Sequence, residues 1–188
     1  GWLPVGDIVS GMFTGTFDGQ NHTIANLSIN RPGMDGVGLF GTTYYGTIRN
    51  VGLVGGSVTG NNAVGALVGN ANNGSFQNVY AANVTVSGNN NVGGLLGISN
   101  SAINGAYATG NVSGNQFIGG LIGIAYNSIT NVYATGNVSG SQYVGGLIGQ
   151  NQATVGNAYA SGLVTGTNGG GLAGMAIGTG SFANSFWN

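Results

Sequence analysis

The sequence contains no cysteine and almost no charged residues. Without cysteine, neither disulfide bonds nor thiolate metal sites can form. Its 188 residues include two basic residues, three acidic residues and one histidine, and none of these types occurs after Arg49. A chain without a basic patch cannot release counterions from a phosphate backbone or attract an anionic bilayer. Nucleic acids and anionic membrane surfaces are therefore not expected as partners.

Long hydrophobic runs are also missing, although 41% of the residues are hydrophobic. Gly, Asn, Ser and Thr interrupt every apolar stretch, which excludes a transmembrane helix and predicts no membrane insertion. Candidate catalytic groups are few. Asp18 and His22 could act as a base with its orienting carboxylate, but a tight turn at Asp18-Gly19 followed by a strand from His22 is the favoured interpretation. No catalytic site, metal site or cofactor is predicted, and the chain is not expected to be an enzyme.

Glycine is abundant, at 41 residues, and the glycines recur in register. The phrase hydrophobic-Gly-Gly-Leu-hydrophobic-Gly occurs six times with small variations. Its leucines are about 26 residues apart, at Leu39, Leu67, Leu95, Leu121, Leu147 and Leu172. Two further phrases, such as Asn131-Val-Tyr-Ala134 and Thr135-Gly-Asn-Val-Ser-Gly140, follow in constant order. A repeat this short cannot bury its own apolar face, so the pattern predicts stacked repeats in a solenoid.

The local pattern indicates strands. Apolar runs are short, β-branched residues are frequent, clusters of Gly, Asn and Ser punctuate the chain, and no 3.6-residue period is present. The predicted fold is all-β, a parallel β-solenoid (β-helix) with roughly 26 residues per coil, about six to seven coils, and coils ~4.8 Å apart. Residues 37–188 are predicted to form one continuous set of repeats. Residues 1–36 hold most of the charge and both prolines, and are predicted to form a leading coil or partial cap.

Period-two alternation assigns side chains to the two faces of each strand, with Val112 inward and its neighbours outward. The predicted stacking core comprises the six leucines together with Val112, Val138 and Val164. The outward polar positions, called the ladder face below, are Asn83, Thr85, Ser87, Thr109, Asn111, Ser113, Thr135, Asn137 and Ser139. A separate row is expected to form an asparagine ladder at a corner, through bonds between successive amides. Its members are Asn78, Asn131, Asn157 and Asn184.

Two other residue sets are noted for their surface chemistry. Three aromatic residues lie near expected corners: Phe117, Tyr126 and Tyr143. They are either part of the core or exposed, and exposed rings can stack on sugars or on neighbouring subunits. Asn-x-Ser/Thr sequons begin at Asn21, Asn26, Asn73, Asn83, Asn111 and Asn137. Such motifs arise by chance in a chain rich in Asn, Ser and Thr, and in a bacterial protein we expect them to be unused.

The repeat Val-Gly-Gly-Leu-Ile-Gly, followed by Asn-Val-Tyr-Ala-Thr-Gly-Asn-Val-Ser-Gly, resembles GLUG-motif repeats. The opening segment from Phe13 to Ile24 is similar to the one that often precedes them. Such repeats occur in secreted bacterial surface proteins, including filamentous-haemagglutinin-like adhesins. The resemblance implies a parallel β-solenoid on an exported protein and implies little about a ligand, because one scaffold serves proteins of differing role.

The low charge and the open strand edges favour self-association. The predicted function is an extracellular structural or adhesive module, secreted or at the cell surface. It is expected to associate head-to-tail with other copies into filaments, or to continue into neighbouring repeats of a long surface adhesin. The alternative is a ligand-binding solenoid that uses the ladder face for glycans or ice. Because the sequence stops within a repeat phrase, either a longer parent chain or completion by a neighbouring subunit is expected.

Overall fold

The computed structural model describes residues 2–188. This part of the chain is all-β, with parallel strands stacked as a β-solenoid of about 6 turns whose equivalent positions are ~27 residues apart. The predicted fold class is therefore confirmed. The strands are β1 (Thr16–Asn30), β2 (Phe40–Tyr44), β3 (Thr47–Thr59), β4 (Asn62–Gly65), β5 (Val68–Ala82), β6 (Thr85–Ser87), β7 (Asn90–Gly93), β8 (Leu96–Ala108), β9 (Val112–Ser113), β10 (Gln116–Gly119), β11 (Ile122–Ala125), β12 (Ile129–Ala134), β13 (Val138–Gly145), β14 (Ile148–Asn151), β15 (Thr154–Ala160), β16 (Val164–Gly170), β17 (Ala173–Ala176) and β18 (Ser181–Trp187). Within residues 2–188, no helix is long and apolar enough to span a bilayer.

The register places equivalent residues of successive coils beside one another. Val112 of β9 pairs with Val86 of β6 on one side and with Val138 of β13 on the other. The same row continues through Val58 and Val164. Equivalent residues of successive coils therefore share the same surroundings, and each position in the coil forms one row of side chains along the stack.

The core is built from the inward rows. Leu67, Leu95, Leu121 and Leu147 are fully buried and Leu39 nearly so. A second inward row consists of Phe17, Ile48, Phe76, Ile103, Ile129, Val155 and Phe182. Val164 and Leu172 pack against this core but are only partly buried. Both belong to the last described coil, which is covered by a neighbouring coil on one side.

The glycines of the Gly-Gly-Leu phrase allow a tight fold of the chain between two short strands. In one repeat, β10 ends at Gly119 and β11 begins at Ile122. A Cβ atom on Gly119 would overlap the backbone oxygen of Ile122 and would also approach the backbone nitrogen of Gly149. Glycine is therefore required here by close backbone approach.

The segment before the first repeat adds a coil to the stack. Val5 and Phe13 make parallel bridges with Phe40 and Thr43, and β1 pairs with β3 along most of its length. The rings of Phe13 and Phe17 pack on the ring of Phe40, with centroid distances of 4.9 and 5.4 Å. These contacts cover the first repeat on its N-terminal side. Only residues 2–36 of the predicted cap, residues 1–36, lie within the described chain.

Candidate functional site

The ladder face presents short polar side chains from three coils. Most of its nine side chains are exposed, and those of Ser87 and Thr109 are half-buried. Ser87, Ser113 and Ser139 occupy one row in direct register. The side-chain oxygens of Asn111 and Asn137 accept hydrogen bonds from the backbone N–H groups of Asn137 and Leu163, at 3.1 and 3.0 Å. Oγ1 of Thr109 accepts a hydrogen bond from the backbone N–H of Asn83 at 2.9 Å, and Oγ of Ser87 lies 3.0 Å from Oγ1 of Thr59. Part of this face is therefore engaged in joining adjacent coils.

The asparagine ladder occupies a corner where the backbone is left-handed. Asn78, Asn131, Asn157 and Asn184 have φ values of 51°, 58°, 53° and 47°. Asparagine tolerates this conformation better than other residues that carry a Cβ. Nδ2 of Asn157 donates to Oδ1 of Asn131 at 3.1 Å, and Nδ2 of Asn184 donates to Oδ1 of Asn157 at 3.4 Å. The predicted amide ladder is thus confirmed for the last three members.

The ladder is interrupted at the coil that carries Gly105, which takes the left-handed conformation with φ 72°. Glycine has no side-chain amide, so Nδ2 of Asn131 donates instead to Oδ1 of Asn104 at 2.8 Å. Nδ2 of Asn78 donates to Oδ1 of Asn50 at 3.2 Å. The expectation of one continuous ladder from Asn78 to Asn131 is therefore wrong, and two shorter ladders stand in its place.

Asn131 provides a test of the two requirements at this corner. Asn131→Gly removes both amide hydrogen bonds and suits the left-handed backbone. Asn131→Ala removes the same bonds but keeps a Cβ in the left-handed conformation, which alanine tolerates less well than asparagine does. We expect Asn131→Ala to lower the free energy of unfolding by about 1–2 kcal/mol more than Asn131→Gly. Urea denaturation followed by circular dichroism measures the difference. Equal stability of the two variants would contradict a backbone role for asparagine at this corner.

A tyrosine stack lies beside the asparagine ladder on the outer surface. The rings of Tyr80, Tyr107 and Tyr133 are nearly parallel, with centroid separations of 4.7 Å and interplanar angles of 6° and 4°. A Cβ on Gly52, the preceding member of the row, would overlap the Tyr80 ring. Both faces of the Tyr107 ring are covered by neighbouring rings, so this residue presents its ring edge and hydroxyl group to solvent. This geometry favours a structural role for Tyr107, because stacking on a sugar requires an uncovered ring face.

These tyrosines recur in the sequence as part of a repeated phrase, but the phrase alone does not indicate where their side chains lie. The available signal was period-two alternation, since Val132 and Ala134 are inward and Tyr133 between them must point outward. Of the aromatics left open by the sequence, Tyr126 is exposed. Phe117 and Tyr143 are half-buried and stack on each other at 5.2 Å with an interplanar angle of 7°.

The tyrosine stack predicts a loss of stability at alkaline pH. Burial raises the pKa of Tyr107 above its ordinary value of 10.0, and the neighbouring Tyr133 and Tyr80 raise it further. Burial likewise raises the pKa of Tyr133. Because the unfolded chain releases these protons first, stability is fully present below about pH 10 and falls as the pH rises above it. Thermal unfolding across pH 8 to 11 should show this decline in the native protein and a weaker decline in Tyr107→Phe; equal slopes would contradict it.

The charged residues of the first coils pair with groups other than His22. Nε of Arg49 donates to Oδ2 of Asp18 at 3.0 Å, and Nδ2 of Asn50 donates to Oδ1 of Asp18 at 3.1 Å. The hydrogen bond from the backbone N–H of Gln20, followed by those from Asn50 and Arg49, lowers the pKa of Asp18. Nδ1 of His22 lies 3.0 Å from the carbonyl oxygen of Gly19. Asp18 and His22 both lie within β1, whose register against β3 shifts between them as at a β-bulge. The pair is therefore structural, but the predicted turn at Asp18-Gly19 followed by a new strand from His22 is wrong.

A lateral cleft of about 650 Å³ lies between this N-terminal region and the first repeats. Its lining includes Asp35, Asn62, Ala63 and Ile98. Oδ1 of Asp35 accepts hydrogen bonds from Asn61 and from both the backbone and the side chain of Asn62, so this oxygen is committed to the fold. Across residues 2–188, no group of three or more His, Cys, Asp or Glu side chains is placed to hold a metal ion.

These features define a class of protein, a parallel β-solenoid with few charges whose coils are joined by rows of leucine, valine, asparagine and tyrosine. Residues 114–139 and 140–165 each match the family described as the GLUG motif. Two of the repeats thus carry the GLUG motif, which confirms the resemblance seen in the sequence for this part of the solenoid. Over 70 residues, or 37% of its length, it is 46% identical to halomucin of Haloquadratum walsbyi (strain DSM 16790 / HBSQ001). It spans 1% of the length of that protein. No solved structure matches the chain.

Proposed function

We propose that the chain is a structural module of an extracellular surface protein and is not an enzyme. The observation that carries the proposal is the continuous register of the stack, in which successive coils repeat the same inward and outward rows. Such a module adds a rigid length of roughly 30 Å to a longer array, at ~4.8 Å per coil. The GLUG motifs and the likeness to part of halomucin support an extracellular setting.

Surface exposure is tested on intact cells of the source organism. Antibodies against the ladder face should label intact cells, and mild proteolysis of those cells should remove the label. Labelling that appears only after the cells are lysed would contradict an extracellular role.

The ends of the stack favour self-association as the finer proposal. The outer edge of β1 and the outer edge of β18 each lack a neighbouring strand within the described chain. Continuing the register from one copy to the next would set Phe182 beside Phe17 of the second copy, and Trp187 beside Ile24. Both pairs are apolar, and the C-terminal coil carries no charge that would oppose the contact. A heterologous contact of this kind forms filaments when it does not close.

Electron microscopy of the purified chain over a concentration series tests the filament proposal. Trp187 is 53% exposed at the end of the stack and Tyr126 is 45% exposed on its side, so they make a matched pair for a charge substitution. The native protein and Tyr126→Lys should form filaments, and Trp187→Lys should remain monomeric. Dispersed native monomers at high concentration would contradict the filament proposal. The ends of the stack would then be expected to contact neighbouring repeats of a longer chain instead of other copies.

A second candidate function is ligand binding by the ladder face, with a glycan or ice as the ligand. The regular row of Ser87, Ser113 and Ser139 supports it, while the exposed side chain of Leu163 interrupts the polar surface in the next coil. Thermal hysteresis and a glycan array separate the two ligands. Replacing both Thr109 and Thr135 by tyrosine should abolish either activity; an unchanged activity would discard this face.

A further inference from the structure

The asparagines on the surface divide into two groups by the use of their Nδ2 atoms. In the corner ladders, Nδ2 is a donor, as in Asn78, Asn131 and Asn157. Within residues 2–188, the Nδ2 atoms of Asn111 and Asn137 donate no hydrogen bond, and only their Oδ1 atoms are engaged. The side-chain nitrogen is therefore committed to the fold in the first group and available in the second.

The sequon asparagines all belong to the second group. All six sequon asparagines are exposed, and none uses Nδ2 as a hydrogen-bond donor in the described chain. The corner asparagines donate through Nδ2 to the adjacent coil, and none of them lies in a sequon. An aromatic residue or glycine stands two positions after each of them, as Tyr133 does after Asn131. Attachment of a sugar to a sequon asparagine therefore leaves every hydrogen bond between coils intact.

The free Nδ2 atoms argue against the expectation from the sequence that the sequons are unused, and we propose that the row containing Asn111 and Asn137 is a site of N-linked glycosylation. Both are followed by valine and serine in the extended conformation of a strand, and both side chains point to solvent. The donor required is a glycosyl group carried on a lipid-linked phosphate or pyrophosphate. The new bond joins Nδ2 to the anomeric carbon, and the bond from that carbon to the phosphate oxygen breaks. The lipid-linked phosphate or pyrophosphate is the leaving group, and the proton lost from Nδ2 balances its new negative charge. Oδ1 keeps its lone pairs and its bond to the next coil.

The stacking geometry allows one glycan on this pair of residues in each molecule. The backbone nitrogen of Asn137 lies 3.1 Å from Oδ1 of Asn111, and the two residues occupy adjacent coils ~4.8 Å apart. Two sugars attached side by side at this spacing would overlap. Occupancy of Asn111 and Asn137 is therefore mutually exclusive. A glycan here would also cover the ladder face, so glycosylation and ice binding exclude each other.

The test is mass spectrometry of the exported protein from its source organism. Chymotryptic digestion is needed because the chain has no Lys or Arg after Arg49. A sugar mass is expected on the peptide containing Asn111 or on the one containing Asn137, and on one of the two in any single molecule. Ser113→Ala should abolish modification of Asn111 and raise the occupancy of Asn137. Ser87→Ala, in the same row but outside a sequon, should leave both occupancies unchanged.

The inference rests on the proposed extracellular role, and its failure can be told apart from failure of that role. Protein that is exported but has the intact mass of the unmodified polypeptide would overturn the glycosylation proposal alone. Protein that stays inside the cell would overturn the proposed function itself. A molecule that carries sugars on both Asn111 and Asn137 would overturn the mutual exclusion.

Discussion

Gly119→Ala is expected to lower the free energy of unfolding by about 3 kcal/mol or more. The added Cβ would overlap the backbone oxygen of Ile122 and approach the backbone nitrogen of Gly149. Backbone atoms at this fold of the chain cannot move aside as the end of a flexible side chain can, so two coils would have to separate locally. Urea and thermal denaturation followed by circular dichroism measure the loss.

Gly33→Ala is the matched control for this substitution. A Cβ on Gly33 meets no atom within 4 Å, and its backbone conformation is open to other residues. The change should leave stability unaltered or raise it by roughly 0.4–1 kcal/mol through the lower entropy of the unfolded chain. Equal destabilisation by Gly119→Ala and Gly33→Ala would show that close packing between coils does not explain the repeated glycines.

Leu121→Ala is expected to cost about 2–5 kcal/mol of stability. The Leu121 side chain is fully buried, and backbone hydrogen bonds of 2.9 and 2.8 Å join this residue to Leu95 and Leu147 in the adjacent coils. Truncation removes buried methyl groups and leaves a cavity in the middle of the leucine row. The same denaturation experiments measure the effect.

Leu163 and Leu172 supply controls with the same side chain. Leu163 is 68% exposed, so Leu163→Ala should change stability by less than about 0.5 kcal/mol. Leu172 is partly buried in the last described coil, and Leu172→Ala should fall between the other two. A cost for Leu163→Ala as large as that for Leu121→Ala would contradict the assignment of inward and outward rows.

The fold was predictable because one physical requirement is repeated along the chain. The spacing of Leu95, Leu121 and Leu147 measures the length of a coil directly, and the need to bury short apolar strands then requires stacking. Alternation around Val112 correctly indicates which side chains face the core, since Val112 is buried and Asn111 and Ser113 are exposed. These inferences depend on position in the repeat and do not require knowledge of individual contacts.

Several details depend on contacts that the period does not specify. The asparagine ladder breaks because Gly105 has no side-chain amide. Asn131 donates instead to the side chain of Asn104, the residue before Gly105. The parallel tyrosine rings require a side-chain orientation that alternation leaves undefined. The pairing of Asp18 with Arg49 joins the atypical first segment to the next coil, and no earlier repeat exists there for comparison.

Disulfide formation between engineered cysteines tests the stacking of adjacent coils most directly, because the native chain contains no cysteine. Ser113 and Ser139 are paired in register on the ladder face, and Ser87 lies one coil further away. Parallel neighbours ~4.8 Å apart fall within the range of distances that a disulfide bridges, whereas residues two coils apart do not. Under mild oxidation, Ser113→Cys/Ser139→Cys should form an intramolecular disulfide and Ser87→Cys/Ser139→Cys should not. A folded monomer in which the first pair stays reduced, or in which both pairs cross-link equally, would contradict the stacked-coil structure.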